Sequence, residues 1–239
     1  MSSEHRHRGT HPGDEELFAP AALPALRLAT TDMSWLLSHG YAQTSSLKLV
    51  GDRHELTARQ RLAVGRAACS DASRGRRGQK QVTAEELAGR DLAIDGFNLL
   101  VTLEAAFSGG VLLVCRDGCV RDMSSVHGSY HAVAETDAAL DMVATRLVEL
   151  KVRSVRWLLD SPVSNSGRLA QRIRDLAAEH HLPWTVEAIF NPDAALVAAS
   201  EVVISSDSIV LDGAAAWFNL AADLLATIPS EKGRLDLRD

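Results

Sequence analysis

The chain is poor in aromatic residues, poor in cysteine and short of positive charge. Phe, Trp and Tyr make up 5% of its 239 residues, and only two are tyrosines. Three cysteines, an odd number in a chain of this size, do not make a disulfide framework, so a reducing cytoplasm is the expected location. No stretch approaches the roughly 18–20 uncharged apolar residues of a membrane-spanning helix, so no membrane partner is expected. The first residues, Met1-Ser2-Ser3-Glu4-His5-Arg6, carry charge but no apolar core and do not read as a secretory signal. There is no G-x4-G-K-[ST] phosphate loop and no G-x-G-x-x-G after a strand, which leaves ATPase and dinucleotide readings without support. A G-x-S-x-G nucleophile elbow is also missing. A phosphatase of the Asp-x-Asp type would need an acid two residues after Asp95, where Phe97 stands.

What is present suits a folded protein: 46% of residues are hydrophobic and 23% charged. At roughly 150 residues per domain, the length fits one large domain or one with a small companion. The net charge of −6 argues against a surface coated with phosphate-binding groups, but the charge is unevenly spread. Between Arg53 and Lys80 stand eight positive residues (Arg53, Arg59, Arg61, Arg66, Arg74, Arg76, Arg77, Lys80) against Glu55 and Asp71. That strip is +6, so the rest of the chain carries −12.

Residues 1–19 are rich in His, Gly and acids without an apolar period, and read as a disordered arm. Residues 20–90 read as a small helical, basic domain. Thr30 or Thr31 can cap a short helix through Trp35, which Gly40 would end. Thr57-Ala58-Arg59-Gln60 and Thr83-Ala84-Glu85-Glu86 are capping-box patterns, and Ser70 to Gly78 reads as a flexible basic loop. From Asp91 the pattern changes to short apolar runs alternating with helical spacings. The runs are Leu92–Ile94, Val111–Cys115, Val155–Leu159, Trp184–Ile189 and Val202–Ile204. Leu140, Val143, Leu147 and Leu150 keep a helical spacing, as do Leu169, Ile173 and Leu176. Asp117-Gly118 signals a turn, so 111–122 reads as a hairpin or as a single strand. Strands alternating with helices predict an α/β domain over 91–228, a mostly parallel sheet sandwiched by helices, with 229–239 as a tail.

Chemistry in such sheets gathers beyond the carboxyl ends of the strands. Three ends here carry an aspartate: Asp95 in Ile-Asp-Gly-Phe-Asn98, Asp160 in Leu-Leu-Asp-Ser-Pro, and Asp207 in Ile-Ser-Ser-Asp-Ser. A fourth, Asp193 in Asn191-Pro-Asp-Ala, opens a helix after Trp184–Ile189. One such Asp can be nothing more than a helix N-cap. Several on one edge raise each other's pKa unless a cation relieves them, and hard oxygen ligands suit Mg²⁺ or Mn²⁺.

These strand ends, in this order over residues 91–226, resemble the PIN/NYN nuclease superfamily, with the NYN branch nearest in its Asp-Gly-x-Asn opening. The whole chain also resembles a prokaryotic two-part family in which a short N-terminal domain precedes this fold. The nuclease resemblance implies a metal-dependent ribonuclease. Asp95 and Asp207 are then the central ligands, Asp160 and Asp193 support them, and Asn98, Ser206 and Ser208 orient the site or a phosphate oxygen. NYN enzymes often place a second Asp two residues beyond the last, where this chain has Ile209; Asp212 lies five beyond.

Further candidates surround these acids. Ser161-Pro162-Val163-Ser164-Asn165-Ser166-Gly167-Arg168 follows Asp160, and its Ser164, Asn165, Ser166 and Arg168 would suit a phosphate at a helix start; a plain loop with a Ser cap is the alternative. His127-Gly-Ser-Tyr130-His131 reads as a loop, structural or supplying His127 or Tyr130 to substrate. With Cys115 and Cys119 it spells Cys-x3-Cys-x7-His-x3-His, which departs from the usual zinc spacings. The basic strip, chiefly Arg74, Arg76 and Arg77, would track an RNA backbone or serve as solvated surface. The four tryptophans sit in apolar surroundings and read as core. The expected partners are RNA and a second copy of the chain. The alternatives are a non-catalytic RNA- or nucleotide-binding module and an enzyme for a small phosphorylated metabolite.

Overall fold

The computed structural model describes residues 11–124, 130–228 and 233–238. Its first stretch is helical: α1 (Asp14–Leu17), α2 (Leu23–Ser38), α3 (Gln43–Arg53), α4 (Ala58–Ala67) and α5 (Asp71–Lys80). α4 opens on the expected capping box, in which Thr57 accepts from the Gln60 N–H and Gln60 accepts from the Thr57 N–H. Three local expectations are corrected here. Thr30 and Thr31 cap nothing; they lie inside α2 and donate to the carbonyls of Leu26 and Arg27 one turn back. The segment 70–78 is no loop, because Ser70 accepts from the Ser73 N–H and Asp71 precedes Arg77 and Lys80 in the order a helix dipole favours. Within 1–19, Asp14 and Phe18 are buried, and Asp14 takes two hydrogen bonds from Arg59.

β1 (Asp91–Asp95) then runs straight into α6 (Gly96–Phe107). β2 (Leu112–Val114) and β3 (Val120–Asp122) form an antiparallel hairpin, closed where Gly118 adopts a φ of +82°. There follow α7 (Thr136–Glu149), β4 (Ser154–Asp160), α8 (Ser166–Glu179), β5 (Trp184–Ile189), α9 (Pro192–Val197), β6 (Val202–Ile204), α10 (Ser208–Gly213), α11 (Leu220–Leu225) and β7 (Arg234–Asp236). The first sheet has the order β5-β4-β1-β6, all parallel, with Ile94 opposite both Trp157 and Ile204. The second has the order β3-β2-β7, so the stretch expected as a tail supplies a strand.

Side chains alternate across the first sheet as the pleat requires. Leu92, Ile94, Trp157, Leu159 and Ile204 face a core closed by α6, α7, α8 and α11. Ala93, Leu158 and Val203 face the other way, onto α9, α10 and Trp217. A third cluster joins α2, α3 and α4 to Val111, Leu113, Leu235 and Leu237, so the helical stretch shares its core with the small sheet. Trp217 stitches the parts together. Fully buried, it donates from its ring to the Arg77 carbonyl and from its backbone to Lys80, and accepts from the Val82 N–H. Trp157 is equally buried, whereas Trp35, expected in the core, is exposed and stacks on His39. No helix among the described residues is long and apolar enough to cross a membrane.

Candidate functional site

From β1 the chain moves to β4 and then β5 on one side, and returns to β6 on the other. The reversal places a crevice at the carboxyl ends of β1 and β6, where sheets of this kind bind ligands. Asp95 ends β1 and caps α6 by accepting from the Asn98 N–H, 3.4 Å away. Gly96 allows this geometry, since a Cβ there would stand 2.4 Å from a Leu159 methyl on β4. Ser205, just past β6, donates to Asp95 at 2.8 Å and accepts from the Asp207 N–H at 3.0 Å. Asn98 Oδ1 accepts from both the N–H and the hydroxyl of Ser206. Asp207 caps α10, accepting from the N–H groups of Ile209 and Val210.

Burial pushes the Asp95 carboxyl up to about 7, and the charges of Asp193 and Asp207 add to the shift against hydrogen bonds from Ser205 and Asn98. Asp193 is raised as well, by burial first and then by Asp207 and Asp160. The four aspartates therefore feel one another's charge. Among the described residues, however, no group of three or more His, Cys, Asp or Glu is placed to hold one ion.

Two clefts meet at Phe97. The acidic one, about 360 Å³, is lined by Asp95, Asp160, Asp193, Val163 and the exposed Phe190. The other, about 560 Å³, lies between the helical stretch and the sheet edge, with Gln43 and Arg66 on one wall and Asn98, Ser206, Asp207 and Ser208 on the other. Arg121 and Asp122 also line it. Arg121 is buried; it donates to the Ser206 carbonyl at 2.8 Å and holds Asp117 through two further hydrogen bonds. Both clefts open to solvent.

Residues 84–223, more than half of the chain, match the family described as Domain of unknown function (DUF5616). The chain belongs to that family. Ahead of the DUF5616 stretch, residues 25–80 match the family described as Protein of unknown function (DUF434), which makes the architecture two-part. An uncharacterized protein of Methanocaldococcus jannaschii is similar over both parts: it is 30% identical over 187 residues, 78% of this chain and 89% of the relative. No solved structure matches the chain. These descriptions name no activity, so a functional reading of this DUF5616 member rests on its residues.

The structure brings Asp95, Asp160, Asp193, Asp207, Asn98, Ser206 and Ser208 to the paired clefts. It removes others. Arg77 is 3% exposed and is held by Asp212 through Nε and Nη2 and by Asp117 at 2.6 Å, so it is a structural tether and no RNA contact. The same contacts take Asp212 away from the acidic cluster. Tyr130 is 1% exposed, its hydroxyl donates to the buried Glu104, and Thr136 donates to the same carboxylate at 2.6 Å; it is a core residue. Ser166 is buried and donates to the Ser161 carbonyl, and Asn165, at a φ of +68°, donates to the Tyr130 carbonyl. The first bond closes the Ser-rich loop and the second ties it to Tyr130. Asn165 and Arg168 face a separate cleft beside His131, away from the acids, and the Ser164 carbonyl accepts from the Tyr130 N–H. Arg74 and Arg76 ride on the exposed side of α5, where Arg76 donates to Ser73. His127 lies outside the described residues. Cys115 and Cys119 are both buried, and among the described residues no group of three or more His, Cys, Asp or Glu is placed to hold an ion, so the zinc-like spacing gathers no ligand set.

Sequence reasoning missed Ser205 and Arg121, and took in Arg66 only as one cation of the basic strip. Ser205 carries a readable signal, a hydroxyl at the end of the strand beside β1. Arg121 carries none, and nothing in the sequence sets Arg66 apart from the rest of the strip, because the position of both depends on the hairpin and on how the helices dock against it.

Proposed function

We propose that this chain is a divalent-cation-dependent phosphodiesterase that cleaves RNA. The observation that carries the reading is the isolation of four carboxylates on one sheet edge. Asp14, Asp91, Asp117, Asp212, Asp223 and Glu201 each have an arginine partner. Among the described residues no Lys, Arg or His forms an ion pair with Asp95, Asp160, Asp193 or Asp207. Acids crowded without a counter-ion favour an external cation. The donors are all hard oxygens, which fit Mg²⁺ or Mn²⁺. Among the described residues no three-carboxylate cage forms; Mg²⁺ commonly keeps water and takes one or two carboxylates plus substrate phosphate oxygens.

When bound, such an ion supplies charge stabilisation for in-line displacement at phosphorus. The chain's own residues do the rest. Ser205 and the Asn98 N–H fix the orientation of Asp95, and Asn98 clamps the Ser206 loop that carries Asp207. Asp160 and Asp193 line the acidic cleft from the neighbouring strand ends. The open clefts suit a polymer better than a small metabolite, which would want an enclosed pocket. A non-catalytic RNA- or nucleotide-binding module is the second reading, favoured by the missing three-ligand cage.

Incubation of mixed RNAs with Mn²⁺ separates the two, comparing wild type with Asp95→Asn and Asp207→Asn. Cleavage by wild type that each variant loses supports the proposal. Equal cleavage in all three, or none in any, overturns it, and binding without turnover selects the module.

A further inference from the structure

We propose that the N-terminal helices build the second half of the substrate groove, with Gln43 and Arg66 seating a phosphate of the polynucleotide next to the one held at the acids. This rests on the phosphodiesterase reading for the identity of the ligand. Its grounds are geometric. The 560 Å³ cleft is walled by Gln43, the first residue of α3, and by Gly65 and Arg66 of α4. Its opposite wall is Asn98, Ser206 and Asp207, and Phe97 is common to this cleft and the acidic one. A strand lying across the sheet edge therefore passes from the acids to the helices without leaving the groove.

The chemistry of this half differs from the other. Arg66 and Arg121 are cations in a region where the adjoining cleft offers only acids among its charged side chains. Arg66 donates to the carbonyls of Asp122 and Ser124, which pins its guanidinium against the cleft wall and reduces the entropy lost on contacting a phosphate. Gly65 adds no side chain to the wall, and Gln43 is exposed at the mouth. This arrangement also gives a reason for the two-part architecture: the helical part is one side of the binding surface. The cation that matters is then Arg66, while Arg59, Arg77 and Arg121 serve as tethers.

The test changes charge at Gln43, where the fold is least at risk, since an acid in the first turn of a helix is favourable. Binding of the full-length protein to a fluorescein-labelled oligoribonucleotide is measured by anisotropy in EDTA, where turnover is suppressed. Gln43→Glu is expected to weaken binding about three- to fivefold and Gln43→Lys to strengthen it by a similar factor, both effects shrinking as salt rises. Gln171→Glu, the same charge change on α8 and outside both clefts, is the control and is expected to bind as wild type does. Arg66→Ala is expected to weaken binding, with Arg66→Lys recovering part of it. Affinity insensitive to charge at residue 43, an equal response at residue 171, or no binding by wild type overturns the inference. Hydrolysis of the oligonucleotide in Mn²⁺ is read separately. Its absence alongside charge-sensitive binding would sink the phosphodiesterase reading and leave the groove standing.

Discussion

Asp95 is a carboxyl that folding makes harder to ionise. Its folded pKa, about 7, lies above the usual value of 3.8, so the folded state holds a proton that the unfolded chain has released. The contribution of this group to stability is complete below about pH 4 and is lost as pH rises toward 7. Asp95→Asn removes the penalty, since a neutral amide still accepts from Ser205. The variant should therefore melt higher than wild type at pH 8, on the order of 5 °C, and within a degree or two of it at pH 4. Differential scanning calorimetry at the two pH values checks this; equal melting at pH 8 would show that Asp95 carries no strain. Arg77 makes the opposite case. It is an arginine of the basic strip, yet it spends its donors on Asp117 and Asp212, 40 and 135 residues away. Burial opposes the ionisation of Asp117, and the guanidiniums of Arg121 and Arg77 more than offset it, holding the carboxyl below its usual range. Arg77→Ala leaves buried acid without a full counter-charge and should cost about 3–5 kcal/mol. Arg76→Ala, on the exposed side of the same helix, should cost less than about 0.5 kcal/mol. Urea unfolding of the two variants measures the contrast.

At the scale of elements, the boundary residues decided what could be read. Asp95, Asp160 and Asp207 were legible because an apolar run ending in an acid is a local pattern. α5 was not, since Gly75 and Gly78 each cost a helix about 1 kcal/mol and masked the Ser70 cap and the order of charge from Asp71 to Lys80. The bonds from Trp217 to Arg77 and Lys80, and the pairing of Arg77 with Asp212, are what hold that segment helical. β7 was hidden for a related reason: a three-residue strand among charged residues has too little pattern to see, and its partner β2 is more than a hundred residues earlier. Its Leu235, with Leu237 just beyond, is buried against the N-terminal helices. Each such leucine contributes about 1.5–3 kcal/mol. Truncation after Ile228 should therefore loosen the helical stretch most, seen as faster amide exchange in α2 and α4 than in α8. Unchanged protection in α2 and α4 would mean that the small sheet adds nothing to their core.

For the molecule as a whole, the net charge of −6 has a different meaning once the pairs are drawn. The basic strip is largely spent on tethering. Arg59 joins Asp14, Arg61 joins Asp52, Arg77 joins Asp117 and Asp212, and Lys80 donates to the Asp212 carbonyl. Four acids that no Lys, Arg or His pairs with among the described residues, Asp95, Asp160, Asp193 and Asp207, stand where the parallel sheet ends. Whether this edge takes a divalent cation is read by isothermal titration calorimetry of Mn²⁺ into the 239-residue protein. One or more saturable sites are expected in wild type, tighter at pH 8 than at pH 6 with proton release at the lower pH, and lost or strongly weakened in Asp193→Asn and Asp207→Asn. Absence of saturable heat in wild type, or the same isotherm in all three proteins, would contradict cation binding at this edge.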